Sequence, residues 1–198
     1  MIKILLMVNM FTLILSSNTI KSINLIKNIV LYDKNMPSLY IKNQFCIENK
    51  YSMEHIFPRS FLNKEDYNDM HNIIRTYSNI NNNRSNYKYE DSISNDKNWI
   101  KLVDNNYVNH KRKLFIPNEC SRGFISRALL YMSMEYGYNT NKIIEKTTLI
   151  NWYYSYPPNK EEIYHNNVIK ELQNKNNIFI SNYKKKSKKI ESFISSNI

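Results

Sequence analysis

The stretch 51–62, YSMEHIFPRSFL, sets the interpretation of the whole chain, because an acid and a histidine stand side by side in a β-like apolar run. A proline follows at position 58 and an arginine at 59. Proline has no N–H to donate to a strand ladder, so the strand should end near His55. Glu54 and His55 are then expected at a rim, either as a surface pair or as an acid and a base at the mouth of a site.

The downstream stretch 68–89, NDMHNIIRTYSNINNNRSNYKY, predicts a second short strand over 68–77 and then a helix with Ser78 or Asn79 as its N-cap. Carboxylates, imidazoles, carboxamides and arginines thus fall on a strand, strand, helix unit. Mg²⁺ prefers oxygen ligands, and a neutral histidine beside it can accept a proton from water near neutral pH. This set of side chains suits hydrolysis of a phosphodiester.

The composition favours a globular protein with a polyanionic partner. The chain has 198 residues, 42% of them hydrophobic, which is enough for the core of one domain. Its net charge of +11 points toward nucleic acid. The abundance of Asn, Ile, Lys and Tyr has a second explanation, since an AT-rich genome produces the same bias without any function.

The first 20 residues have the layout of a secretory signal peptide. Lys3 precedes an apolar run over 4–15, and two serines follow. We therefore expect a leader over 1–20, a single mature domain over 21–198, and a secreted or periplasmic location; a buried first helix is the alternative. No other stretch could cross a membrane, so no membrane partner is expected. Cys46 and Cys120 could form one disulfide or remain free thiols.

Helical patterns dominate the second half of the chain. The stretch 121–139 has apolar residues on one face, and Gly137 is expected to end this helix. The stretch 147–175 predicts two helices separated by Pro-Pro. Residues 88–113 are polar enough to predict a loop with little core. The basic tail, about 181–198, is either a solvated end or a contact for a phosphate backbone.

Five stretches of this chain, in order, resemble the bacterial endonuclease I family, which belongs to the ββα-metal (His-Asn-His) superfamily. They are MEHIFPRS, DMHNIIRTYSNINNNRSNYKY, FIPNECSRGFISRALLYM, INWYYSYPPNKEEIYHNN and LQNKNNIFI. Together they span roughly residues 50–180. The resemblance implies an α+β fold, in which a ββα-metal finger of two short antiparallel strands and a helix is embedded in a mainly helical domain.

The resemblance also implies a metal site and a base. It makes His55 the general base and Glu54 a metal ligand. Asn81 becomes the second protein ligand, and Asn82 is a register-shifted alternative in the same Asn-rich run. The implied cofactor is Mg²⁺, with Mn²⁺ or Ca²⁺ as alternatives.

Three further residues have expected roles around this site. Asn72 matches the central asparagine of the superfamily, which holds the finger and orients the base. Arg127 matches a family arginine near the phosphate; neutralising an acid such as Glu162 is the rival role. Arg84 is a candidate phosphate contact, or else a capping or pairing residue on the helix surface.

The chain also departs from the family pattern. The connection between the two strands is short and lacks the cysteine-bearing insertion that carries a functional arginine in some members. Arg59, Arg75 and Arg84 are the local candidates to replace that arginine. Near the C-terminus, His165 stands where the family has arginine, and QNKNNIF has lost a Gly, an Arg and a Pro.

The sequence therefore predicts a secreted, Mg²⁺-dependent, largely non-specific endonuclease that acts on DNA, with RNA left open, and functions as a monomer. The alternative is a catalytically decayed nucleic-acid-binding or toxin-like module, which the C-terminal departures motivate. Intact Glu54, His55, Asn72 and Asn81 favour the enzyme.

Overall fold

The computed structural model describes residues 28–31, 33, 35–41, 50–183 and 187–198. The leader predicted over 1–20, Cys46 and residues 184–186 of the basic tail lie outside this range. Within it, the chain forms the expected α+β domain, with two small sheets among helices. No helix in these ranges is both long enough and apolar enough to cross a membrane.

The first sheet and the helix after it form the predicted ββα unit. Strand β1 (Tyr51–His55) pairs antiparallel with β2 (Ile73–Tyr77), and His55 faces Ile73 across the ladder. Helix α1 (Ser78–Arg84) follows directly and packs on both strands. Strand β1 ends three residues before Pro58, as its missing N–H predicts.

Two local predictions in this unit are wrong. The second strand begins at Ile73 rather than residue 68, because Asp69 accepts a hydrogen bond from the His71 N–H (2.9 Å) and caps a 3₁₀ turn over Met70–Asn72. Tyr77, not Ser78 or Asn79, occupies the N-cap position of α1 and makes no side-chain capping bond there.

The second sheet corrects the prediction of a loop over 88–113. Its strands are β3 (Lys88–Tyr89), β4 (Ile100–Lys101), β5 (Tyr107–Asn109) and β6 (Leu114–Ile116). They lie in the order β3-β6-β5-β4, with β3 parallel to β6 and the other pairs antiparallel. Tyr89 and Val108 are buried in the main core. Strands of two or three residues are too short to show a period of two in sequence.

Three helices of the second half confirm the helices that the sequence predicts: α2 (Glu119–Tyr136), α3 (Lys146–Ser155) and α4 (Lys160–Gln173). Two further helices were not predicted, namely α5 (Ile178–Ser181) and α6 (Lys188–Asn197), and α6 lies in the basic tail. Asn118 caps α2 by accepting from the Ser121 N–H, and Gly137 ends it with φ 72°, a left-handed conformation that glycine adopts without strain. The Pro-Pro pair separates α3 from α4. Helix α2 packs against α3 and against the 3₁₀ turn Met70–Asn72 before β2. The second of these contacts supports the ββα unit.

Candidate active site

Glu54 lies at the centre of a buried polar cluster between β1 and α1. Only 1% of the residue is exposed. The Tyr40 hydroxyl donates a hydrogen bond to Oε1 (3.1 Å), and the Arg84 Nε lies 3.2 Å from the same oxygen in an ion pair. No described residue donates a hydrogen bond to Oε2, so this oxygen can still accept a ligand.

Burial dominates the electrostatics of this cluster. It raises the pKa of Glu54 to about 7, although the charge of Arg84 and the hydrogen bond from Tyr40 both act to lower it. Burial also raises the pKa of Tyr40, whose hydroxyl lies 2.6 Å from that of Tyr89. A nearby cation favours the ionised carboxylate, so metal binding at Oε2 would relieve part of the cost of burying the charge.

Asn81 supplies a second oxygen on the face of α1 that meets β1. Its Nδ2 donates to the Ser52 Oγ (2.9 Å) and to the Met53 carbonyl (3.0 Å), which fixes the amide plane. Its Oδ1 accepts no hydrogen bond from the described residues. One carboxylate oxygen and one amide oxygen match the ligands of Mg²⁺. Asn82, the register-shifted alternative, is exposed and makes no such contact with β1.

His55 is oriented by the backbone of the β1–β2 connection. Its Nε2 lies 3.0 Å from the Tyr67 carbonyl oxygen. A carbonyl oxygen only accepts, so Nε2 carries the proton and the lone pair of Nδ1 is available. Burial lowers the pKa of His55; the bond to Tyr67 opposes this shift, and the charges of Arg59 and Arg84 reinforce it. The imidazole is therefore neutral near pH 7, as a general base must be.

Asn72 holds the end of β1 in place. Its Oδ1 accepts from the Phe57 N–H (2.7 Å), and its Nδ2 donates to the Phe57 carbonyl (3.0 Å). The Asn72 carbonyl also accepts from the Ile56 N–H (3.0 Å). Fully buried, Asn72 positions the backbone just after His55 and does not itself face a substrate.

Arg84 is buried, and its guanidinium is committed to the protein itself. Besides the ion pair with Glu54, Nη2 donates to the Ile56 carbonyl (2.6 Å) and Nη1 to the Ser85 carbonyl (2.8 Å). The guanidinium carbon lies 4.6 Å from the centroid of the Tyr89 ring. This places Arg84 behind Glu54, where it holds the carboxylate; its contact with a phosphate stays a prediction.

Arg127 lies beside Glu162 and neutralises its charge, which is the alternative role expected from the sequence. Its Nε and Nη2 donate to the two carboxylate oxygens (2.6 and 2.5 Å), and Nη1 donates to the Tyr156 carbonyl (2.5 Å). Asn177 donates to the Arg127 carbonyl (3.1 Å) and is in turn bonded to Asn166 through its N–H (2.9 Å). The C-terminal motifs thus contact one another and tie α2 to α4 and α5. Phosphate contact by Arg127 stays a prediction.

Sequence reasoning missed two contributors to the site, Tyr40 and Tyr67. Tyr40, which has φ 63°, bonds Glu54 but lies outside every quoted motif. A lone tyrosine gives no signal in sequence. Tyr67 acts through its carbonyl, which every residue has. No sequence pattern could have identified that contact.

The candidate metal ligands differ from a zinc set. Among residues that the structure describes, no group of three or more His, Cys, Asp or Glu side chains converges to hold a metal ion. Metal binding by Glu54 and Asn81 stays a prediction; their carboxylate and amide oxygens are of the kind that Mg²⁺ prefers.

The structure contains a ββα unit with a histidine at the end of its first strand, and it places a carboxylate on that strand and an amide oxygen on the helix. This is the arrangement that the resemblance to the ββα-metal superfamily implies. The family model of Endonuclease I matches residues 9–184, and the chain belongs to this family. The curated protein Endonuclease-1 of Buchnera aphidicola subsp. Baizongia pistaciae (strain Bp) is 30% identical over 121 residues. That match covers 58% of this chain and 49% of the relative, so the chain spans about half the length of the curated relative it matches.

Proposed function

We propose that this protein is an Mg²⁺-dependent endonuclease that hydrolyses DNA phosphodiester bonds with little sequence preference and acts as a monomer. Membership of the endonuclease I family and the name of the curated relative support the activity. RNA is included as a second substrate class. The apolar run near the N-terminus supports export to the periplasm or the exterior.

The orientation of His55 is the observation that carries the proposal. Because Nε2–H is held by the Tyr67 carbonyl, Nδ1 is the atom that takes a proton from water. The water oxygen then attacks phosphorus, the bond from phosphorus to the leaving oxygen breaks, and that oxygen gains a proton from solvent. The products are a phosphate monoester and an alcohol.

Glu54 and Asn81 are the residues that would hold the metal, through Oε2 and Oδ1. When bound, Mg²⁺ supplies charge neutralisation on the phosphate and the leaving oxygen. Arg84 and Tyr40 keep the Glu54 carboxylate in place, while Ser52 and the Met53 carbonyl hold the Asn81 amide. The ligand atoms are thus fixed in position by contacts within the protein.

The charge of the chain supports low sequence preference. A net charge of +11 favours contacts with the phosphate backbone, which carry no sequence information. Binding through several phosphates weakens steeply with salt. We expect the cleavage rate at subsaturating DNA to fall at least tenfold between low and physiological salt; a rate that is flat with salt would contradict backbone binding.

The test is nicking of supercoiled plasmid with Mg²⁺ or with EDTA, by the wild type and by His55→Ala. His110→Ala is the matched control, because His110 is exposed in the turn between β5 and β6. We expect Mg²⁺-dependent nicking that His55→Ala abolishes and His110→Ala retains. Nicking that survives in His55→Ala would refute the assignment of the base. Plasmid binding without any cleavage would favour the decayed binding module.

A further inference from the structure

The side chains of all six arginines in the sequence are described, and four of them are committed to internal contacts. Arg84 and Arg127 form the buried ion pairs described above. Arg75 donates to the Ser38 Oγ and to two backbone carbonyls at 2.6–2.9 Å. Arg122 pairs with Asp91 (3.0 Å). These contacts hold the four guanidinium groups against the protein itself, whereas a phosphate ligand needs a guanidinium that faces the site.

The two exposed arginines, Arg59 and Arg112, differ in location. Arg112 lies in the turn between β5 and β6 and donates to the Ser94 Oγ (3.2 Å). Arg59 directly follows Pro58 and opens the 3₁₀ turn Arg59–Phe61, just past the end of β1. Its side chain forms no hydrogen bond or ion pair with any residue in the described ranges.

Tyr67 positions both Arg59 and His55. The Arg59 guanidinium carbon lies 4.4 Å from the centroid of the Tyr67 ring, which is the distance of a cation–π contact. The carbonyl of the same tyrosine accepts the hydrogen bond from His55 Nε2. A guanidinium resting on a ring face keeps its N–H groups at its edges, available to a ligand. One residue of the β1–β2 connection therefore contacts both the base and an uncommitted guanidinium.

We propose that Arg59 is the catalytic arginine that binds the scissile phosphate in this protein. This inference rests on the proposed nuclease function. The planar guanidinium would donate two N–H groups to the non-bridging oxygens of the phosphate, whose charge rises in the transition state. Tyr67 limits the motion of Arg59, so little ordering is needed on binding. The role falls on Arg59 because, of the six arginines, it is the exposed one whose stacking partner, Tyr67, also bonds the base His55.

The experiment measures single-turnover cleavage of a short fluorescent DNA duplex with Mg²⁺, at saturating enzyme, for the wild type, Arg59→Ala, Arg59→Lys and Arg112→Ala. DNA affinity is measured in EDTA by fluorescence anisotropy, and folding by the urea midpoint. We expect Arg59→Ala to lower the saturated rate by about 100-fold or more, in the range found for removing one transition-state donor. Arg59→Lys should recover part of the rate, and Arg112→Ala should stay within about threefold of wild type, the margin that we allow for a donor outside the site.

Two further measurements separate catalysis from binding and folding. Affinity in EDTA should change only a few-fold in Arg59→Ala, and added guanidinium ion should restore its rate but leave Arg112→Ala unchanged. If Arg59→Ala cleaves as fast as Arg112→Ala, or if its defect disappears at saturating enzyme, the inference is wrong. If Arg59→Ala does not fold, a folded Arg59→Lys at full rate overturns the inference, and one with a reduced rate supports it. A wild type that fails to nick DNA refutes the proposed function, and the inference falls with it.

Discussion

Two buried histidines, His71 and His165, should each contribute a loss of stability in mildly acidic solution. His71 follows the turn residue Asp69, and His165 lies on the inner face of α4. Burial lowers the pKa of His71 to about 4 and that of His165 to about 3, where the charge of His71 adds to the effect. Among the residues that the structure describes, no well-formed hydrogen bond reaches either ring nitrogen of His165, and the nearby Ile73 backbone opposes the shift only in part.

The sign follows from proton uptake. The unfolded chain binds a proton at each histidine below about pH 6.5, while the folded protein does not until the pH nears 4 or 3. The contribution of the two neutral histidines to stability is therefore fully present above about pH 6.5. It is lost as the pH falls from 6.5 toward the folded pKa values of about 4 and 3. Between pH 7 and pH 5 each histidine should cost about 2 kcal/mol of unfolding free energy, so the pair costs about 4 kcal/mol.

Protonation of Glu54 acts in the opposite direction over the same pH range, because burial raises its folded pKa to about 7. Urea unfolding of the wild type at pH 7 and pH 5 therefore measures a net change, and comparison with His165→Phe isolates the contribution of one histidine. Phenylalanine fills a similar space without a titrating group, and it removes two buried nitrogens that lack a well-formed hydrogen bond among the described residues. The variant should be at least as stable as wild type at pH 7 and should lose about 2 kcal/mol less on going to pH 5. An equal loss in the wild type and His165→Phe would refute the assignment of the pH dependence to this buried imidazole.

Three other substitutions test contacts in the fold. Gly123→Ala should lower stability by about 1–3 kcal/mol in urea unfolding, because a Cβ there would collide with the Tyr156 carbonyl oxygen and lie 2.7 Å from the Tyr156 Cβ; an unchanged midpoint would contradict this packing. Glu162→Gln should cost about 3–5 kcal/mol, since it leaves the buried guanidinium of Arg127 without its counter-charge, and calorimetry would show the drop in Tm. Asn72→Ala should cost about 1–3 kcal/mol of unfolding free energy, because the Phe57 N–H loses its acceptor. It should also slow nicking, because the end of β1 is displaced. A destabilised variant with full activity would show that this asparagine does not orient the site.

The sequence alone was sufficient where a local signal exists. Pro58 predicts the end of β1, the 3.6-residue period and Gly137 predict α2, and the Pro-Pro pair predicts the break between α3 and α4. Each of these depends on the geometry of a few neighbouring residues, which the chain specifies without long-range contacts. The order of motifs was likewise enough to identify the family.

Only the tertiary structure decided which arginine is free and how the histidine is oriented. In sequence, Arg59, Arg84 and Arg127 are all candidates for contact with phosphate. The fold buries Arg84 against Glu54 and Arg127 against Glu162, and leaves Arg59 exposed on the Tyr67 ring. The four-stranded sheet and the Tyr67 carbonyl were also missed, because they arise from very short strands and from a backbone atom common to all residues. A charge can be read from a sequence, but its partner depends on packing between residues far apart in the chain.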